Sequence, residues 1–139
     1  MQQQSPATDQ IFKEEGIVCH AYSPDGQYCA VSLKKSNVID IYRLSPSTYK
    51  NINSWQYETT LKEHKQTISD LSFSIQNKLL SVSHDKSVFV WKKNNQDWVK
   101  EAVDCQNSLA FLKCTWSKNG KKFAIGSGDH KVYIGLIKQ

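Results

Sequence analysis

Long hydrophobic runs are missing from this 139-residue chain: no apolar stretch approaches the roughly 18 residues that a membrane-spanning helix needs, so no membrane span is expected. The start, MQQQSPATDQ, also lacks the charged opening and apolar middle of a secretory signal. It reads as a loose leader over residues 1–15 of a chain that stays in the cytoplasm. Paired cysteines are missing as well, since none of Cys19, Cys29, Cys105 and Cys114 lies in a C-x-x-C pair, and a cytosolic chain keeps its thiols reduced. They read as small buried apolar residues. The adjacent Cys19 and His20 would point to opposite faces of a strand, which removes the one zinc arrangement they suggest. No metal and no cofactor is expected.

Arginine is scarce. The chain carries 18 basic against 13 acidic residues, a net charge of +5, but Arg43 is its single arginine. A basic balance raises nucleic acid as a partner. Bidentate recognition of phosphates and base edges depends on arginine, however, and the pairs Lys34-Lys35, Lys92-Lys93 and Lys121-Lys122 are dispersed near strand ends. They read as a solvated rim, with no nucleic acid as partner; steep salt dependence of DNA or RNA binding would support the opposite reading.

What the chain does have is repetition. AYSPDGQ at 21–27 returns as SFSIQNK at 72–78 and TWSKNGK at 115–121, with Ser23, Ser74 and Ser117 in equivalent places. The serines are separated by 51 and then 43 residues, against about 40 to 45 for a four-stranded propeller blade. The polar segment 45–54, SPSTYKNINS, accounts for the longer first interval as an insertion. After each phrase the apolar residues alternate with a period of two, which predicts strands rather than helices. The expectation is an all-β chain of about three antiparallel blades: 16–61, 62–103, and 104–139 without its outermost strand. In each, an aromatic residue and a serine end the first strand, and Pro24-Asp25-Gly26 or Asn119-Gly120 makes the hairpin turn.

In the middle copy His64, Ser81, Asp85 and Trp91, in KEH at 62–64 and LLSVSHDKSVFVW at 79–91, are spaced in a way that resembles the structural tetrad of WD repeats. That resemblance implies a histidine in the loop entering the blade, a serine on its second strand, an aspartate in the next turn and a tryptophan on the third strand. A buried aspartate needs donors, and a histidine ring can pass hydrogen bonding on to a serine hydroxyl and an indole N–H. The same residue types fit a search for a Ser-His-Asp nucleophile. No G-x-S-x-G elbow surrounds Ser81, and a serine between Leu80 and Val82 on a strand is poorly presented to substrate. The glycine motifs are incomplete too: a phosphate loop ending at Gly120-Lys121 would need glycine at Thr115, and Gly126-Ser127-Gly128 has Lys131 where the third glycine of a dinucleotide fingerprint would stand.

The third copy departs from the tetrad, with Ile125 for the serine and Gly135 for the tryptophan. The strings VCHAYSPDG at 18–26, IDIYRL at 39–44, LKEHKQTISDLSFS at 61–74 and KCTWSKNGKKFAIGSG at 113–128 resemble the opening blades of one family, the WD-repeat subunit (subunit 1) of the actin-related protein 2/3 complex. The likeness runs over residues 16–137. It implies a seven-bladed propeller, of which this sequence would be the amino-terminal three-blade portion. It further implies a structural, non-catalytic subunit that packs against its companions in an assembly nucleating branched actin filaments, and hence the cytoplasmic actin cytoskeleton as its place. Its partners would be the other subunits and, indirectly, actin. The family's actin-contacting insertion lies in later blades and maps to no residue here. A generic WD-repeat adaptor that recruits peptides or protein partners is the alternative. Three blades do not close a ring, so the expectation is a truncated, fragmentary or split propeller with an uncovered face at each end, for which Val31, Ile41, Phe123 and Ile134 are candidates.

Overall fold

A computed structural model describes residues 7–47, 50–105 and 109–137. Among the described residues eleven strands form three antiparallel sheets, each made of strands consecutive in the chain. Blade 1 has the order β1 (Ile17–Tyr22), β2 (Tyr28–Leu33), β3 (Ile39–Arg43), β4 (Gln56–Leu61); blade 2 has β5 (Ile68–Phe73), β6 (Leu79–Ser83), β7 (Val88–Asn94), β8 (Asp97–Ala102). Blade 3 has β9 (Phe111–Trp116), β10 (Lys122–Ser127) and β11 (Val132–Leu136). This is part of a WD-type β-propeller.

The repeated phrase is a repeated turn. Ser23, Ser74 and Ser117 each close a hairpin with their backbone N–H, donating to the carbonyls of Tyr28, Lys78 and Lys122. Their hydroxyls accept the N–H groups of the same three residues at 2.9, 3.1 and 3.1 Å. Three residues after each serine the backbone must turn left-handed, and Gly26, Asn77 and Gly120 stand there with φ of 74°, 63° and 71°. These residue types tolerate that conformation best.

The blades stack through two apolar layers. Ala30, Ile39 and Ile41 of blade 1 meet Leu71, Leu79 and Trp91 of blade 2. Leu80, Val82, Val88 and Val90 of blade 2 meet Phe111, Phe123 and Ile125 of blade 3. Both faces of β6 are covered, so its burial is continuous rather than alternating. Polar groups tie the second seam: Ser69 Oγ donates to the Phe111 carbonyl at 2.6 Å, Trp116 Nε1 to the Ser72 carbonyl at 2.9 Å, and the Cys114 N–H to Asp70 Oδ2 at 2.9 Å.

Two expectations need correction. The leader is not loose throughout, since α1 (Thr8–Glu15) is a helix that seats Phe12 against Tyr42 and Trp55, with ring centroids 5.9 and 6.2 Å apart. Nor is the outer side of blade 1 uncovered as anticipated, whereas that of blade 3 is exposed. Val31 lies under α1 in a cluster with Cys29, Tyr42, Leu44 and Trp55, while Ile41 and Phe123 belong to the layers between blades. Only Ile134 of the four candidates is exposed, at 65%, flanked by Val132 and Leu136 on β11. Within the insertion, Ile52–Ser54 form a 3-10 turn that places Ile52 beside the α1 cluster.

Candidate functional site

The polar centre of the molecule lies where the chain crosses from blade 1 to blade 2. His64 sits in the connection between β4 and β5, Ser81 is central on β6, Asp85 occupies the β6–β7 turn and Trp91 is on β7. Antiparallel pairing of Ser81 with Phe89 and of Leu79 with Trp91 carries the serine and the indole to one face. His64 meets them from above, with Phe89 against its ring at 4.9 Å.

Trp91 Nε1 donates to Ser81 Oγ at 2.9 Å, and Ser81 Oγ lies 2.7 Å from His64 Nε2. His64 Nδ1 lies 2.6 Å from Ser87 Oγ, and the Ser87 hydroxyl donates to Asp85 Oδ1. One set of protons satisfies all four contacts. The carboxylate can only accept, so Ser87 donates to it and receives Nδ1–H; Nε2 is then bare and takes the Ser81 hydrogen, leaving the Ser81 oxygen to receive the indole N–H. His64 is held as the neutral Nδ1–H tautomer. The polar relay therefore runs through Ser87, which the sequence reading did not single out. His64 and Asp85 share no direct hydrogen bond, Nδ1 and Oδ1 being 3.8 Å apart. The signal for Ser87 was present in D-x-S: the Ser87 N–H donates to Asp85 Oδ1 at 2.8 Å, an Asx turn that puts the hydroxyl beside the carboxylate.

The electrostatics suit a resting structural network. Burial lowers the His64 pKa from 6.5 despite the opposing pull of Asp85. Burial alone would raise that of Asp85, but hydrogen bonds from Ser87 and from the Lys65 N–H, the latter at 2.6 Å, hold it below 3.8. The same turn fastens the incoming loop, as the Ser83 hydroxyl donates to the Thr67 carbonyl at 2.9 Å and the His84 N–H donates to it at 3.0 Å. Ser81 is fully buried, with its hydroxyl committed to Trp91 and His64. It cannot meet a substrate. His84 is exposed and makes no part of the network.

By register, blade 1 places Val31 and Tyr42 where blade 2 has Ser81 and Trp91, and blade 3 places Ile125 and Gly135 there. At Gly135 the space is taken by Phe123, whose Cζ would lie 2.1 Å from an added Cβ. Apolar filling thus replaces the polar relay in both outer blades. No group of three or more metal-ligating side chains gathers among the described residues, and none of their helices is long and apolar enough to cross a membrane.

A second polar cluster joins the outer strands of blades 1 and 2. Glu58 Oε1 accepts from Lys93 Nζ at 2.9 Å and from Arg43 Nη2 at 2.8 Å, while Oε2 accepts from Trp98 Nε1 at 3.2 Å. Lys93 also donates to the Tyr28 hydroxyl at 2.7 Å. Burial would raise the Glu58 pKa, but these donors outweigh it and hold the carboxyl below its usual range. Both clusters pair chain segments with each other rather than presenting reactive atoms.

Comparison with known proteins gives the same picture. The family model described as "WD domain, G-beta repeat" matches residues 55–92, which hold all four tetrad positions. The chain is 33% identical over 128 residues to actin-related protein 2/3 complex subunit 1A of Arabidopsis thaliana, covering 90% of this chain and 32% of that one. Against actin-related protein 2/3 complex subunit 1 of Saccharomyces cerevisiae the identity is 30% over 119 residues, 85% of this chain and 29% of the other. It is also 31% identical over 104 residues to protein transport protein SEC13 of Yarrowia lipolytica, which is 70% of this chain and 34% of the relative. The chain spans about a third of the length of the curated relatives it matches.

Proposed function

This chain is a WD-repeat relative of subunit 1 of the actin-related protein 2/3 complex, and from that premise we propose that it is a structural, non-catalytic element of such a complex. In this reading it supports actin filament nucleation and branching in the cytoplasmic actin cytoskeleton, by packing against companion subunits and touching actin only indirectly. The observation that carries the proposal is the extent of the likeness: nine-tenths of the chain aligns, through all three blades and not only the repeat that unrelated propellers share. The burial of Ser81 and its double commitment to Trp91 and His64 support the non-catalytic part. The polar clusters act as fasteners, holding strands in a fixed relative position so that a rigid surface meets the partners.

Affinity purification of the tagged chain from its native cell, with identification of the bound chains, tests the reading. Recovery of actin-related subunits and their small companions is expected. Recovery of other proteins with no actin-related protein would overturn it. The likeness to protein transport protein SEC13 favours one second reading, a WD-repeat adaptor for different protein partners. Transport proteins in the same eluate, in place of actin-related ones, would select it.

A further inference from the structure

The turn that closes the β9–β10 hairpin carries Asn119-Gly120, and the β1–β2 turn of blade 1 holds Asp25-Gly26 at the same place. The two turns grip these side chains alike. Ser117 Oγ donates to Asn119 Oδ1 at 2.8 Å and the Lys121 N–H donates to it at 3.0 Å. Ser23 Oγ and the Gln27 N–H do the same for Asp25 Oδ1, at 2.6 and 3.0 Å. An amide in blade 3 thus stands where blade 1 keeps a carboxylate.

Asparagine before glycine is chemically labile, since no side chain shields the glycine nitrogen from the neighbouring amide carbon. The two donors on Oδ1 draw electrons from Cγ and are placed to hold the oxyanion that forms when Cγ is attacked. Lys118, Lys121 and Lys122 surround the exposed Asn119 and favour negative charge there. Against this, the peptide plane between Asn119 and Gly120 is pinned at both ends. Its N–H donates to the Ser117 carbonyl at 2.9 Å, and its carbonyl accepts from Gln76 Nε2 at 2.9 Å. Gln76 belongs to the matching turn of blade 2, and its carboxamide lies so close over Gly120 that a Cβ added there would strike it.

We propose that Asn119 is a site of spontaneous deamidation, primed by its own turn and restrained by Gln76 across the seam between blades 2 and 3. The Gly120 nitrogen attacks Asn119 Cγ and forms an N–C bond that closes a succinimide ring; the side-chain nitrogen leaves as ammonia, taking up the proton that Gly120 gives up. Water then opens the ring at one of its two carbonyls, which yields aspartate or isoaspartate. The attack turns the peptide plane, so both pins must let go first. Aspartate keeps every contact of the turn, as Asp25 demonstrates, and adds negative charge among the three lysines. Isoaspartate puts an extra carbon into the backbone of a turn closed by the Ser117 and Lys122 bonds, and so loosens it.

The test incubates the full chain, its Gln76→Ala variant and a synthetic peptide of residues 113–124 at mildly alkaline pH, and follows position 119 by peptide mapping that separates asparagine, aspartate and isoaspartate. The peptide should react fastest and the parent slowest. Gln76→Ala should react about fivefold faster than the parent, the factor that one ordinary hydrogen bond contributes. Asn119→Asp, the finished product, should unfold at the parental urea midpoint. Asn119 that stays intact in both chains while the peptide reacts, a rate that Gln76→Ala leaves unchanged, or a lowered midpoint for Asn119→Asp would each overturn the inference. Cys114, buried in the same seam, reports the packing and should stay protected from maleimide. Where Gln76→Ala unprotects it, the rate is read from Gln76→Met, which keeps the length of the side chain and removes the donor.

Discussion

Replacing Ser81 with alanine separates a fastener from a nucleophile. In the native chain the Ser81 oxygen receives the Trp91 indole at 2.9 Å and its hydrogen serves His64 Nε2 at 2.7 Å, at a residue with no exposed surface. The variant strands one donor and one acceptor where solvent does not reach. An unsatisfied buried polar group costs about 1–3 kcal/mol. The bare imidazole nitrogen is the milder of the two, so the pair should cost about 2–4 kcal/mol, a large part of the 5–15 kcal/mol that domains typically possess. Urea unfolding followed by tryptophan fluorescence measures this directly. With a slope of about 2 kcal/mol per molar urea, in the middle of the usual range, the midpoint should fall by about 1–2 M without change in slope. A Ser81→Ala chain that unfolds at the parental midpoint would refute the relay, because losing a nucleophile alone leaves packing intact.

Acid should weaken the protein in two stages. His64 is held neutral with a lowered pKa, so below pH 6.5 the unfolded chain binds a proton that the folded one does not, and stability drops as pH falls; Asp85, lowered from 3.8, adds a further loss below that value. Urea midpoints that stay level from pH 7.5 to pH 5 would contradict this. Glu58→Gln should cost about 1–2 kcal/mol by weakening the charge-assisted bonds from Lys93 and Trp98, and a double-mutant cycle with Lys93→Met should show coupling between blades 1 and 2. Additive effects would show that the ion pair contributes nothing. Gly135→Ala should destabilise by about 1–2 kcal/mol, since its Cβ collides with the buried Phe123 ring. A melt at or above the parental temperature would mean that the ring moves aside freely.

The strands and hairpins were legible because their chemistry is local. A serine that caps its own turn and a glycine or asparagine that must turn left-handed have to stand at fixed offsets, and they do at Ser23, Ser74 and Ser117. The contacts of His64 and Trp91 with Ser81 could be anticipated for the same reason, from residue types at set spacings. Ser87 escaped because its role comes from a third party: its hydroxyl matters only once His64, from a loop 23 residues earlier, arrives above it. The α1 helix escaped because TDQIFKEE holds a single residue that becomes buried. Eight residues with one ring show no apolar face, and only Tyr42 and Trp55, brought up by β3 and the 3-10 turn, give Phe12 somewhere to go. Trp55 itself stands one residue before β4, which begins at Gln56, and its indole packs in the α1 cluster.

Every sheet here is assembled from strands that follow one another along the chain, and among the described residues no ladder borrows a strand from elsewhere. The chain therefore responds to force as a series of separate springs. Tension applied along it reaches each blade through a single covalent connection, with no backbone ladder among the described residues spanning the seams to share the load. Blades should yield one after another, each releasing its own contour length.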